Sequence, residues 1–316
     1  MNRSRLARVW RGPHYAENCS EMFMLRQRLL PNFRRIFAGL CFWLLISVLP
    51  ALAFANVPIT PVPVQLTVAD GLPSNTINDF AEDKYGYLWL ASADGLARFD
   101  GRSYRIWRME EGLTDNFVWA VSVDSNDGVW VGFENGGAGL LDAKKRAFKP
   151  LEDSRFPEFT RSSVWAIAHT PDHDTWFGTS KHGLYRLRPD GTIEHFKFVE
   201  EDDHSLPGNS VTALRVTPDG ALWVGGNSGV ARWTGSNFKR VLLPGDIQSS
   251  NGMRLDSSGN LWVTNGNNHL YRLDSSGNFK AQPWQESKGK NQVIGMLLRD
   301  RAGRYWLDTM SGLGKV

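Results

Sequence analysis

From about residue 70 onward, apolar and polar positions alternate in short runs separated by turn residues. Val118-Trp-Ala-Val-Ser-Val123 alternates with a period of two, Asp124-Ser-Asn-Asp-Gly128 supplies a turn, and Val129-Trp-Val131 begins a return strand. Asp-Gly and Ser-Gly pairs recur at the same place, in Asp219-Gly220 and Ser258-Gly259, because a tight hairpin needs residues that tolerate positive φ. No stretch of this region carries a helical apolar period. The pattern predicts strand, turn, strand, turn, strand, over and over, and so an all-β chain.

The alternation is itself repeated. Six units align on Leu88-Trp89-Leu90, Val129-Trp130-Val131, Thr175-Trp176-Phe177, Leu222-Trp223-Val224, Leu261-Trp262-Val263 and Tyr305-Trp306-Leu307, with the tryptophans 41, 46, 47, 39 and 44 residues apart. A period of about 43 fits a four-stranded propeller blade and is too long for leucine-rich or ankyrin repeats. Other columns keep step. Ile77, Val118, Val164, Val211, Ser250 and Ile294 stand twelve residues before the tryptophans, and Asp83, Asp124, Thr170, Thr217, Asp256 and Asp300 stand six before. A glycine follows about six residues later, often with an arginine behind it, as in Gly95-Leu-Ala-Arg98 and Gly183-Leu-Tyr-Arg186. The expected fold is a β-propeller with six visible repeats at 70–316, the last incomplete, as part of a seven-bladed ring.

One tryptophan per repeat, always in the same strand, reads as a blade-to-blade packing residue rather than a ligand-stacking platform. Full burial of such a ring is worth about 4–6 kcal/mol as an upper estimate. The aspartate column reads as an Asx-type cap of the hairpin turn in preference to a calcium site.

Charge divides the chain. Residues 1–55 hold eight arginines against Glu17 and Glu21, followed after Arg34-Arg35 by the uncharged run Ile36–Leu49, Pro50 and Ala53-Phe54-Ala55. A basic start, an apolar stretch and an A-x-A site make a secretory signal peptide cleaved after Ala55. The alternative is an uncleaved N-terminal anchor, since the uncharged run extends to Pro61. Either way the rest is exported, with 56–69 a short lead-in. Both cysteines, Cys19 and Cys41, fall within 1–55, so the exported part has no disulfide and no cysteine metal site. With 28 basic and 31 acidic residues it is mildly acidic, which argues against a nucleic-acid partner.

The units carry a family likeness. Ile77-Asn-Asp-Phe-Ala-Glu-Asp-Lys-Tyr-Gly-Tyr-Leu-Trp-Leu-Ala-Ser-Ala-Asp-Gly-Leu-Ala-Arg-Phe-Asp100, introduced by Gly71-Leu-Pro-Ser-Asn75, resembles the two-component regulator propeller repeat, and the lead-in recurs as Gly112-Leu-Thr-Asp-Asn116 and Ser205-Leu-Pro-Gly-Asn209. The resemblance covers about 70–316. It implies a periplasmic sensor module, usually followed by a β-sandwich, a membrane helix and an output domain such as a histidine kinase, less often a diguanylate cyclase, with homodimerisation if the whole is a sensor kinase. No such output region follows here, and the chain stops at Gly312-Leu-Gly-Lys-Val316, partway through its sixth unit. It reads as a fragment of a longer receptor, with membrane contact only through its N-terminal segment or a missing C-terminal span, and not itself an enzyme.

Fourteen residues before each tryptophan stands Asn75, Asn116, Ser162, Asn209, Gln248 or Gln292. If the strand that follows is innermost, these side chains ring one mouth of the central channel, where they either cap the entering loop or meet a ligand. Trp119, Arg161 and Trp165 nearby suit a small molecule or oligosaccharide, with rings to stack a sugar and a guanidinium for a carboxylate or sulfate. His169, His173 and His182 are spread over a strand, a turn and the next strand, which argues against a metal site, and Glu200-Glu-Asp-Asp-His204 reads as a solvated loop. No cofactor is expected. Asn251–Trp262 also resembles blades of gluconolactonase-type and virginiamycin B lyase propellers, which keeps open a secreted metal-dependent enzyme, and a protein-binding scaffold is a third reading. The absence of an acidic residue from the mouth column disfavours the metal enzyme.

Overall fold

The computed structural model describes residues 66–142, 147–245, 248–250, 252–256, 258–265 and 269–282, and the backbone of three later strands within 297–315. The expected signal peptide or anchor at 1–55 and most of the lead-in at 56–69 lie outside the described residues, as does Gln292. Blade 1 comprises β1 (Ile77–Glu82), β2 (Leu88–Ser92), β3 (Gly95–Phe99) and β4 (Tyr104–Trp107). Blade 2 comprises β5 (Val118–Val123), β6 (Val129–Phe133), β7 (Ala138–Asp142) and β8 (Ala147–Pro150). Blade 3 has β9 (Val164–His169), β10 (Thr175–Thr179), β11 (Leu184–Leu187) and β12 (Ile193–Phe196). Blade 4 has β13 (Val211–Val216), β14 (Leu222–Gly226), β15 (Gly229–Trp233) and β16 (Phe238–Val241), and blade 5 has β17 (Gly252–Leu255), β18 (Leu261–Thr264), β19 (Leu270–Leu273) and β20 (Phe279–Gln282). A three-stranded sheet of β21 (Leu297–Arg299), β22 (Tyr305–Thr309) and β23 (Gly312–Lys315) follows. Each sheet is an antiparallel meander, and among the described residues no helix is long and apolar enough to cross a membrane.

The sheets are arranged radially. β1 lies beside β5, β5 beside β9, β9 beside β13 and β13 beside β17, so the first strand of each blade faces the common axis. This is a β-propeller, and its core lies between blades. The period of two in each second strand sends the tryptophan to one neighbour and its flanking aliphatic residues to the other. Trp89 packs with Leu96 and Trp107 of its own blade against Val118, Val121, Val131 and Phe133 of blade 2. Trp130 meets Val164, Ile167 and Phe177 of blade 3, Trp176 meets Val211, Leu214 and Val224 of blade 4, and Trp223 meets Met253, Leu261 and Val263 of blade 5. Trp262 is also buried, while the side chain of Trp306 lies outside the described residues.

Three local devices explain the repeat columns. First, in blades 1, 2, 3 and 5 the residue six before the tryptophan closes the hairpin and receives the buried indole. Asp83 accepts the backbone N–H groups of Tyr85 and Tyr87 on one oxygen and Trp89 Nε1 on the other, at 3.0 Å. Asp124 and Asp256 do the same for Trp130 (2.9 Å) and Trp262 (3.0 Å), and in blade 3 the Thr170 hydroxyl accepts from Trp176 Nε1 at 3.1 Å. Second, the arginine of the Gly-x-x-Arg pattern stands cross-strand from the tryptophan and covers its ring, Arg186 at 5.2 Å from Trp176 and Arg98 at 5.8 Å from Trp89. Third, the residue two after the tryptophan is small because the next blade's inner strand passes close over it. A Cβ on Gly132 would lie 2.7 Å from Val164 O, and one on Gly178 would lie 2.9 Å from Val211 O.

Two outcomes follow from these contacts. Gly178→Ala pushes on the backbone oxygen of Val211 as well as on its branched side chain and lowers unfolding stability by about 1–3 kcal/mol in urea titration; an unchanged midpoint contradicts the close approach. Burial pushes the Asp256 carboxyl up, but the hydrogen bonds of Asn260, Trp262 and the turn backbone outweigh it and hold the pKa at about 2, below its ordinary 3.8. With the folded value depressed, the stabilisation is present above about pH 4 and lost as pH falls through about 2. Asp256→Ala therefore costs about 2 kcal/mol or more at pH 7, and its stability falls less steeply than the parent's on acidification over that window.

Candidate functional site: the central cavity

The loops that lead into the inner strands explain the mouth column. Val68–Asp70 forms a 3-10 turn ended by Gly71 at φ 102°, Leu72 drops into the core, and Asn75 Oδ1 accepts the N–H of Val68 at 2.9 Å. The same steps recur with Met109–Glu111, Gly112 at φ 98°, Leu113 and Asn116, whose Oδ1 takes the N–H of Met109 at 2.8 Å. Asn209 Oδ1 accepts from Phe198 N at 2.8 Å, and Gln248 accepts from Leu243 N at 2.9 Å while donating to Leu243 O and Gly245 O. Ser162 is buried, donates to Glu158 O at 2.8 Å and meets His182 Nδ1 at 2.8 Å. All five described members of the column thus bond to the chain's own loops.

Three residues further along, the inner strands do something that spacing alone does not reveal. The pairing of β1 with β2 skips Asn78, that of β5 with β6 skips Trp119, that of β9 with β10 skips Trp165, and that of β13 with β14 skips Thr212. Each is a β-bulge, which frees one residue from the ladder and re-aims its side chain. All four bulged residues line a cavity of about 210 Å³ on the axis, together with Asp79, Ala166, Ile167, Ala213, Arg215, Gly252 and Arg254. Trp119 and Trp165 stand 5.5 Å apart, tilted by 52°, and Phe117 supports Trp119 from 5.0 Å. Trp119 Nε1 donates to Glu134, whereas the buried Nε1 of Trp165 has no partner among the described residues.

The cavity is charged. Arg215 donates to Leu214 O and Arg254 to Met253 O at 3.1 Å, and among the described residues neither guanidinium pairs with a carboxylate. Burial lowers the pKa of Arg254, against the attraction of Asp79. Burial raises that of Asp79, against the N–H of Val121 at 3.3 Å and the charge of Arg254.

Arg161 does not join this set. It is the exposed last residue of the 3-10 turn Phe159–Arg161 and is not among the lining residues; the guanidiniums that line the cavity are Arg215 and Arg254. Both occupy the column filled by Ala81, Ser122 and Ala168 in the other blades, and a cation replacing a small residue there is the signal that finds them. The three histidines have separate partners: His169 meets Thr175, His173 meets Ser125 and His182 meets Ser162. Burial pushes His169 down to about 4, and among the described residues no group of three His, Cys, Asp or Glu side chains is placed to hold a metal.

Comparison with known proteins agrees with this geometry. Residues 71–94 and 205–228 match the family described as two component regulator propeller, and each match spans a lead-in loop, an inner strand and the tryptophan strand or its start. A 42-residue stretch, 13% of this chain and 3% of the relative, is 43% identical to Histidine kinase P4 of Formosa agariphila. The fold is similar to the extracellular domain of a putative hybrid two component system from B. thetaiotaomicron, with a TM-score of 0.65 and 20% identity over 80% of this chain and 35% of that one. It is similar also to virginiamycin B lyase from Staphylococcus aureus, with a TM-score of 0.61 and 19% identity over 76% of this chain and 80% of the lyase. The chain therefore spans about a third of that extracellular domain, and its match covers a small part of the kinase. The repeat motif and the family match agree at residues 71–94 and 205–228, which match the two component regulator propeller repeat, and the blade architecture around them is that of a β-propeller.

Proposed function

We propose that this chain is an extracytoplasmic, periplasmic ligand-sensing propeller of a two-component receptor, and that its ligand binds in the central cavity against Trp119 and Trp165. The observation that carries the reading is the pair of bulges that turns both indoles out of the ladder and toward the axis. Bulges cluster where a side chain must be re-aimed, often beside a binding site. A small molecule or the end of an oligosaccharide would stack on these rings. Binding across β5, β9, β13 and β17 bears on several blades at once, which suits a module that passes occupancy to a kinase or other output domain of a longer receptor. The lyase-like alternative receives less support, because two guanidiniums beside a single carboxylate are a poor setting for a divalent cation.

A thermal-shift screen of metabolites and short oligosaccharides, followed by titration calorimetry of the hits, tests this. The combined Trp119→Ala and Trp165→Ala change is expected to weaken the best ligand by at least ~10-fold, and Trp165→Phe, which keeps a ring and loses only the N–H, by less. Unchanged affinity in the double variant contradicts the reading.

A further inference from the structure

The cavity has a charge imbalance that stacking on tryptophan does not use. Two of its described lining residues are cationic, Arg215 and Arg254, and one, Asp79, is anionic. A guanidinium has five N–H donors in a planar fork. Here each makes one bond, to the carbonyl of the residue before it, and neither reaches a carboxylate among the described residues. Asp79 does not close the pair; its carboxylate faces the N–H of Val121 instead. Both arginines are partly buried, and Asp79 attracts Arg254 without forming an ion pair, so the cavity lining keeps an excess of positive charge. The larger cleft of about 670 Å³ between blades 1 and 2 is different, because its described lining holds four aspartates along with Arg98, and Arg98 already lies 4.4 Å over the Tyr87 ring.

Resting on the sensing reading above, we propose that the ligand of the central cavity is a small monovalent carboxylate with a flat, ring-sized body. Its carboxylate sits at Arg215 and Arg254, which neutralises the excess cation, and its body lies against Trp119 and Trp165. Asp79 accepts from a ligand hydroxyl where one is present. At about 210 Å³ the cavity is smaller than the ~300–1,000 Å³ of pockets for drug-sized ligands, which limits the occupant to about one ring. Arginine suits this task because its fork matches a carboxylate with two parallel bonds.

Titration calorimetry of the full chain with two matched pairs, galacturonate against galactose and benzoate against benzamide, decides the matter. At least one acid is expected to bind ~10-fold or more tightly than its neutral partner, and the preference is expected to shrink several-fold between about 50 and 500 mM NaCl. Arg215→Gln or Arg254→Gln abolishes the preference, whereas Arg232→Gln, on an exposed site outside the cavity, preserves it. Because the glutamine changes remove a poorly partnered charge, their melting temperatures are expected to stay level or rise, which separates lost binding from lost fold. The proposal is overturned if neither acid binds below about 10 mM, if a neutral partner binds as well as its acid, or if both arginine variants keep the preference. A neutral ligand lost in the double tryptophan variant but kept in the arginine variants leaves the sensing reading standing and removes only the carboxylate.

Discussion

The ring depends on a hydrogen bond made at the edge of its core. Each inter-blade layer is filled by a tryptophan, and burying an indole there is least costly where its N–H is satisfied. In blades 1, 2, 3 and 5 the acceptor is the side chain that also closes the hairpin six residues earlier, Asp83, Asp124, Thr170 or Asp256. Turn geometry and core packing are thereby set by one residue. Blade 4 shows the variation: the Thr217 hydroxyl donates to Asp219 or the Ala221 carbonyl, inside the turn itself. With the tryptophan fixed, the small residue two positions on lets the next inner strand pass close over it, and the radial array follows.

Much of this was legible in the sequence because it is local and repeated. The period of about 43, the turn pairs and the Asp-to-Trp spacing each depend on residues within one hairpin, and such features survive being read along a line. The lead-in Gly-Leu-x-x-Asn is equally local: a left-handed glycine, a buried leucine and an asparagine that caps the turn seven residues behind it. Trp119 and Trp165 were visible as aromatic residues beside the predicted mouth, and both line the cavity.

What spacing could not supply was register across strands. A bulge is a property of two paired strands, so the turning of Asn78, Trp119, Trp165 and Thr212 toward the axis is not written in either strand alone. For the same reason Arg161, near the tryptophans in sequence, lies exposed at the end of a turn, while Arg215 and Arg254, about 50 and 90 residues beyond Trp165, line the same cavity with it. Radial assembly brings one position from each blade to a common axis, and chemistry gathered in that way appears in sequence as a column with a few discordant members rather than as a motif.

The paired indole of the repeat tryptophans is the claim on which the fold rests; among the described residues the buried N–H groups of Trp107 and Trp165 are the ones left without a partner, and of these two Trp165 lines the cavity. Hydrogen exchange of the tryptophan indoles, followed by NMR on a chain labelled with nitrogen-15 at tryptophan, measures it directly. The account predicts strong protection for Trp89, Trp130, Trp176 and Trp262, with the Trp165 signal shifting on addition of a ligand for the cavity. Exchange of Trp89, Trp130 and Trp262 as fast as an exposed indole, at a pH where the chain is folded, would contradict it.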